Sequence, residues 1–195
     1  TTLKTTPEVD NSTSTVVLAP VQVILNEILP NPSGRDQEGE FIEIKNLSAA
    51  AVDLRGYYLV NSSRKKFKFT SSTPLAAENF LVVPRSLSNL SLKNNGEETL
   101  ELYNSNNRLV DKIFYDEPAT EGAAWIRTSS TAALWEWSVS PTPGQANILS
   151  RPNSLPQAII TAPDQALTEE EIIFDASDSY DADGDKIFFS WSFGD

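Results

Sequence analysis

The chain has no cysteine, no histidine and no methionine among its 195 residues. Without cysteine there is no thiolate nucleophile, no disulfide and no structural zinc of the Cys/His kinds. Without histidine there is no Ser-His-Asp arrangement and no imidazole base near neutral pH. A disulfide-stapled secreted scaffold is excluded, whereas a disulfide-free exported protein is not. Apolar runs stay far below the ~20 residues of a membrane helix, so no membrane insertion is expected, and no signal-peptide pattern is visible. Starting on Thr1 and stopping in the middle of a pattern at Asp195, the chain reads as a piece of a longer protein.

Bases are also scarce, 15 Lys and Arg against 27 acids, for a net charge of −12. A nucleic-acid partner needs clustered cations to release phosphate counterions, so nucleic acid is not expected. The imbalance is concentrated at one end. Residues 164–195 carry ten acids and only Lys186, and the rest of the chain carries 17 acids and 14 bases. That asymmetry suggests two units. The one basic run, Arg64-Lys65-Lys66-Phe67-Lys68, alternates into an apolar pattern and reads as a solvated strand edge.

Residues 1–19 are rich in Thr and Ser and have a linker composition. From Val21 short apolar runs alternate with turn residues. Strands are expected near 21–29, 40–46, 57–61, 66–70, 79–83, 98–103, 108–115, 123–127 and 134–139. Turn chemistry lies at 30–36, 94–97, 104–107 and 140–144. Many short strands without a 3.6-residue apolar repeat predict an all-β sandwich or barrel. In "LWEWSV" the period of two puts Trp135, Trp137 and Val139 on one face, a buried sandwich face rather than a sugar-stacking platform. Tyr57 and Tyr58 must point to opposite faces. A Pro-rich break at 149–156 precedes three more strand-like runs, "QAIIT", "EIIFDAS" and "KIFFSWSFGD".

The order "VILNEILPNP", "GEFIEIKNLSAAAVDLRGYYLV", "FLVV", "NNGEETLELYNSNNRLVDKIFY" and "WSVSPTPGQAN" resembles a lamin-tail domain of the bacterial exported type, across residues 21–148. The resemblance implies an immunoglobulin-like antiparallel sandwich, used as an interaction module without activity of its own. Arg55 departs from the small residue that often precedes the turn glycine. The tail, "PNSLPQAII…FDASDSYDADGDKIFFSWSFGD", resembles the N-terminal half of a polycystic-kidney-disease (PKD) domain, a truncated second sandwich. The implied organisation is a linker at 1–19, a lamin-tail domain at 20–149 and a partial PKD domain at 150–195.

Asp181, Asp183 and Asp185 are the sharpest metal candidates, since hard oxygen ligands spaced by two around Gly184 suit calcium. The spacing is not that of an EF-hand. The PKD resemblance implies that Asn153, Asp181 and Asp183 contribute to such a site. An Asx-type turn, with aspartates accepting backbone amides, is the competing reading.

Glu27 and Glu43 are the acids that suggest a glycosidase pair, and no nucleophile or base supports them. The Asn-x-Ser/Thr triplets at Asn11, Asn46, Asn61 and Asn89 bear on glycosylation only in a eukaryotic secretory route. The expected function is therefore non-catalytic: adhesion, spacing or binding of protein or carbohydrate, in a bacterial exported or cell-surface protein. An accessory region of a secreted hydrolase and a structural subunit assembling by strand addition are the alternatives. Self-association would proceed through unpaired strand edges, among them the apolar 14–20.

Overall fold

The computed structural model describes residues 23–129 and 134–194. The linker at 1–19, with Asn11, and the apolar run at 14–20 lie outside the described residues. The strands are β1 (Val23–Leu29), β2 (Phe41–Asn46), β3 (Val52–Asp53), β4 (Tyr58–Val60), β5 (Lys66–Lys68), β6 (Pro74–Leu75), β7 (Phe80–Pro84), β8 (Glu98–Tyr103), β9 (Leu109–Tyr115), β10 (Ala124–Arg127) and β11 (Trp135–Ser138). Two four-residue helices, α1 (Asp36–Gly39) and α2 (Arg85–Ser88), interrupt them. The longer strands fall where the period-two pattern places them. β3 and β6 have two residues each, too few to show a period, and pair only with one another.

One sheet runs β11-β10-β1-β2-β7 and the other β5-β4-β8-β9, with every pairing antiparallel. This is an immunoglobulin-like β-sandwich. Alternation decides what lies between the layers. Ile42 and Ile44 of β2 face inward, and Leu59, Leu100, Leu102 and Ile113 meet them from the second sheet. Six of the most enclosed side chains are Leu25, Ile44, Leu54, Leu59, Leu100 and Leu102, each contributing about 1.5–3 kcal/mol by leaving water. Trp125, Trp135 and Trp137 pack against this core from β10 and β11, with Tyr115 edge-on to Trp137 at 5.4 Å. The paired tryptophans thus line a sandwich face. Val139 does not join them; it lies past the strand and is exposed. Tyr58 turns to the outer face, where Tyr103 stacks on it at 4.9 Å, and Tyr57 packs on the core.

Beyond Ser150 the pattern changes. The three strand-like runs form no strand among the described residues. Two isolated antiparallel bridges, Gln157 with Tyr180 and Thr161 with Asp175, are the ladder contacts there. Phe174, Trp191 and Phe193 gather at centroid distances of 5.2–6.2 Å, yet each stays substantially exposed. The physical reason is layer count. A lone hairpin cannot bury an apolar face without a second layer against it.

Candidate functional site

β1 carries a bulge at Asn26: Leu25 pairs with Ile44, but Glu27 pairs with Glu43. Without the extra residue Leu25 and Glu27 would share a face; with it, Leu25 enters the core and Glu27 turns to the outer face. There Glu27 and Glu43 stand side by side beneath the loop 140–147, and both are fully enclosed. Glu27 accepts the Thr142 backbone N–H at 2.8 Å and its hydroxyl at 2.9 Å. Glu43 accepts the Gly144 N–H at 2.5 Å and the Asn26 amide at 2.7 Å. The Asn26 amide also donates to Asn147, whose own amide returns to the Asn26 carbonyl at 3.0 Å. Three of the four carboxylate oxygens are therefore bonded to the "SPTPGQAN" loop, and the fourth holds Asn26, which in turn donates to Asn147 of that loop.

Two further glutamates do the same work at other loops, and sequence reasoning did not single them out. Glu40 accepts the Leu92 N–H and pairs with Arg85 at 2.8 Å. Glu98 accepts the N–H groups of Ser62 at 2.8 Å and Lys93 at 3.0 Å. Their signal was a carboxylate at the mouth of an alternating strand, a pattern equally at home on a surface. Burial pushes the Glu40 and Glu43 carboxyls up to about 7, against the pull of their N–H donors, and raises Glu27 as well. Across the sandwich, Arg127 of β10 pairs with Asp111 of β9 at 2.5 Å and donates to the Leu25 carbonyl, tying the two sheets at the bulge.

Asn46 and Asn61 are enclosed, their side-chain amides committed to backbone carbonyls of Leu75 and Ser91 among others. Arg55 is exposed on its turn, its nearest charged neighbour being Asp53 at 4.0 Å.

The aspartate turn lies in the tail. Asp181 accepts the Asp183 N–H at 2.8 Å and the Asp185 N–H at 3.3 Å. Asp183 accepts the Ser154 N–H at 2.5 Å, which brings the neighbourhood of Asn153 to the turn. The Asn153 amide itself donates to the Ser154 carbonyl. Among the described residues no three acidic side chains converge as a metal-holding group.

The open side of the sandwich is where β5 and β7 end their sheets. A groove of about 240 Å³ with Phe67, Phe69, Leu81, Val83 and Leu87 in its walls separates them. Lys66 and Lys68 flank Phe67 on β5 and are exposed; the Lys66 ammonium lies 4.1 Å from the Tyr58 ring centre, and Lys68 also lines the groove. The basic run read as a strand edge is thus an end strand beside an apolar groove. No helix among the described residues is long and apolar enough to cross a membrane.

Comparison with protein families matches residues 17–117 to the lamin tail domain, more than half of the chain. No curated protein matches it. The matched stretch holds Glu27, Glu40, Glu43 and Glu98, the four loop-fastening carboxylates; β10 and β11 complete the same five-stranded sheet beyond it, and the strap follows them. The chain belongs to the lamin tail domain family.

Proposed function

We propose that this chain is a non-catalytic interaction module of a bacterial exported or cell-surface protein, binding a protein or carbohydrate partner through its exposed sandwich surface. One observation carries the reading. The carboxylates placed like an acid–base couple, Glu27 and Glu43, are sealed from solvent, with three of their oxygens bonded to the strap and the fourth to Asn26. A glycosidase pair needs a substrate and a water between its carboxyls, and this pair has a loop there instead. The chain also lacks His and Cys. Incubation with glycoside, ester, peptide and nucleic-acid substrates is expected to give no turnover. Turnover abolished by Glu27→Gln or Glu43→Gln in a still-folded chain overturns the reading.

The same reading takes the tail as part of a PKD-type module. Its "SYDADGD" turn has the Asp181 carboxylate folded back on two amides of its own loop, the geometry of an Asx-type turn. Calcium at Asn153, Asp181, Asp183 and Asp185 would have to compete with those amides and to find six or more oxygens. A calcium titration by calorimetry is therefore expected to show weak binding in this chain. Tight binding that disappears in Asp181→Ala contradicts that expectation.

A further inference from the structure

We propose that Asn95, in the turn between Leu92 and β8, is a site of spontaneous covalent modification: its side chain closes onto the Gly96 backbone nitrogen, and water opens the resulting ring to aspartate or isoaspartate. The inference goes beyond the interaction-module reading and does not depend on it.

The chemistry needs only water. The Gly96 nitrogen gives its proton to solvent base and attacks Asn95 Cγ. A C–N bond forms there, the Cγ–Nδ2 bond breaks, and the side-chain amide leaves as ammonia, carrying a proton back from water. A second water then adds to either carbonyl of the five-membered imide. Opening at Cγ gives aspartate on an unchanged backbone. Opening at the backbone carbonyl carbon routes the main chain through Cγ, as isoaspartate. On balance one water is consumed and one ammonia released, and nothing is oxidised or reduced. The chain has no histidine to act as a local base, so the proton goes to hydroxide and the rate climbs with pH.

The turn leaves both reacting groups unencumbered. Gly96 has no side chain to obstruct ring closure; it sits at φ +77°, with open space where a Cβ would point. Asn95 and Gly96 are both exposed, and neither the Gly96 N–H nor the Asn95 side chain makes a hydrogen bond among the described residues. The chain is tied on each side of them. Glu40 accepts the Leu92 N–H, Glu98 accepts the Lys93 N–H at 3.0 Å, and the Asn94 carbonyl accepts the Ala119 N–H at 2.9 Å. Beyond the pair, the Lys93 ammonium donates to the Glu97 carbonyl at 2.9 Å. These bonds stop short of the two residues that react.

Other positions with the same latent chemistry are closed. Asp183–Gly184 is the one Asp-Gly step in the sequence, as Asn95–Gly96 is the one Asn-Gly step. There the Gly184 N–H donates to the Asp181 carbonyl at 3.2 Å, and the Asp183 carboxylate accepts the Ser154 N–H. Asn61 and Asn104 each precede a serine, but their side-chain oxygens are held by the N–H groups of Lys65 and of Asn106 and Arg108. At Asn95 either product adds a negative charge, and isoaspartate also lengthens a span anchored at Asn94 and Glu97.

The test follows the full chain in mildly acidic and in mildly alkaline buffer, by anion-exchange chromatography and by peptide mapping with mass spectrometry. A more acidic form should accumulate, faster in the alkaline buffer, with aspartate and isoaspartate both mapped to position 95. Asn95→Gln should abolish it with an unchanged circular dichroism spectrum, because closure there needs a six-membered ring. The folded chain should modify Asn95 less than about tenfold more slowly than the urea-unfolded chain, since a hydrogen bond held at the Gly96 amide would cost up to roughly that factor. A slowing of about tenfold or more means that the fold does restrain the turn, and overturns the inference. Modification appearing first at Asp183, Asn61 or Asn104 overturns it as well. So do equal rates in the two buffers, aspartate without isoaspartate (direct hydrolysis with no ring), and the absence of any acidic form. Each of these outcomes leaves the non-catalytic reading to its own substrate screen.

Discussion

The enclosed glutamates make this domain's stability depend on pH in a direction opposite to that of most acidic proteins. A carboxyl whose folded-state value is raised binds its proton more tightly when folded, so protonation favours folding. For Glu40 and Glu43 the unfolded value is 4.5 and the folded value about 7. The stabilisation is fully present below 4.5 and is lost as pH rises through 7; Glu27 adds in the same direction. The melting temperature should therefore fall between pH 4.5 and pH 7. Asp53, held down by the N–H groups of Thr73 and Arg55, acts the other way only at lower pH. Differential scanning calorimetry across roughly pH 3.5–8 reads the profile, and a melting temperature that climbs from 4.5 to 7 contradicts it. Glu43→Gln should flatten the slope. It should also cost about 1–3 kcal/mol near pH ~8, because the new amide cannot accept from both Gly144 and Asn26.

At the scale of the element, the strap 140–147 is the part whose role follows from single atoms. Gly144 sits at φ +78° with open space where a Cβ would point. Gly144→Ala therefore meets no clash and costs only the left-handed backbone, about 1–2 kcal/mol. Thr142→Val removes the hydroxyl from Glu27 and leaves an enclosed oxygen without its donor, about 1–3 kcal/mol. Chemical denaturation measures both, and a loss below ~0.5 kcal/mol for Thr142→Val would mean that the hydroxyl bond does not hold the strap. Little of this was legible beforehand. Strands such as "FIEIKN" and "ETLELY" announce themselves by period two, and "PTPG" announces a turn. That Glu27 and Glu43 lie under that turn depends on a bulge at Asn26 and on a loop about a hundred residues away. Local pattern contains neither. The tail misled for the reverse reason. "EIIFDAS" and "KIFFSWSFGD" have strand composition, but a strand also needs a partner, and partners are a property of the whole sheet.

Over the whole molecule, charge and burial divide at the same place. The sandwich combines fully enclosed aliphatics, polar latches and cross-sheet ties such as Arg127 with Asp111. The segment from 151 onward has exposed or half-exposed residues throughout its described part, two isolated bridges and a dense negative charge. Local opening costs little where few apolar contacts and few ladder hydrogen bonds must break, and backbone amides exchange accordingly. Hydrogen exchange followed by mass spectrometry should show slow exchange in β1, β2, β8 and β10 and near-complete early exchange across 151–194. The bridges should protect Gln157, Thr161, Asp175 and Tyr180 only marginally, since each is an isolated pair. Strong protection of 151–194 in dilute, monomeric protein would instead mean that the tail holds a second cooperative layer, contrary to its exposure.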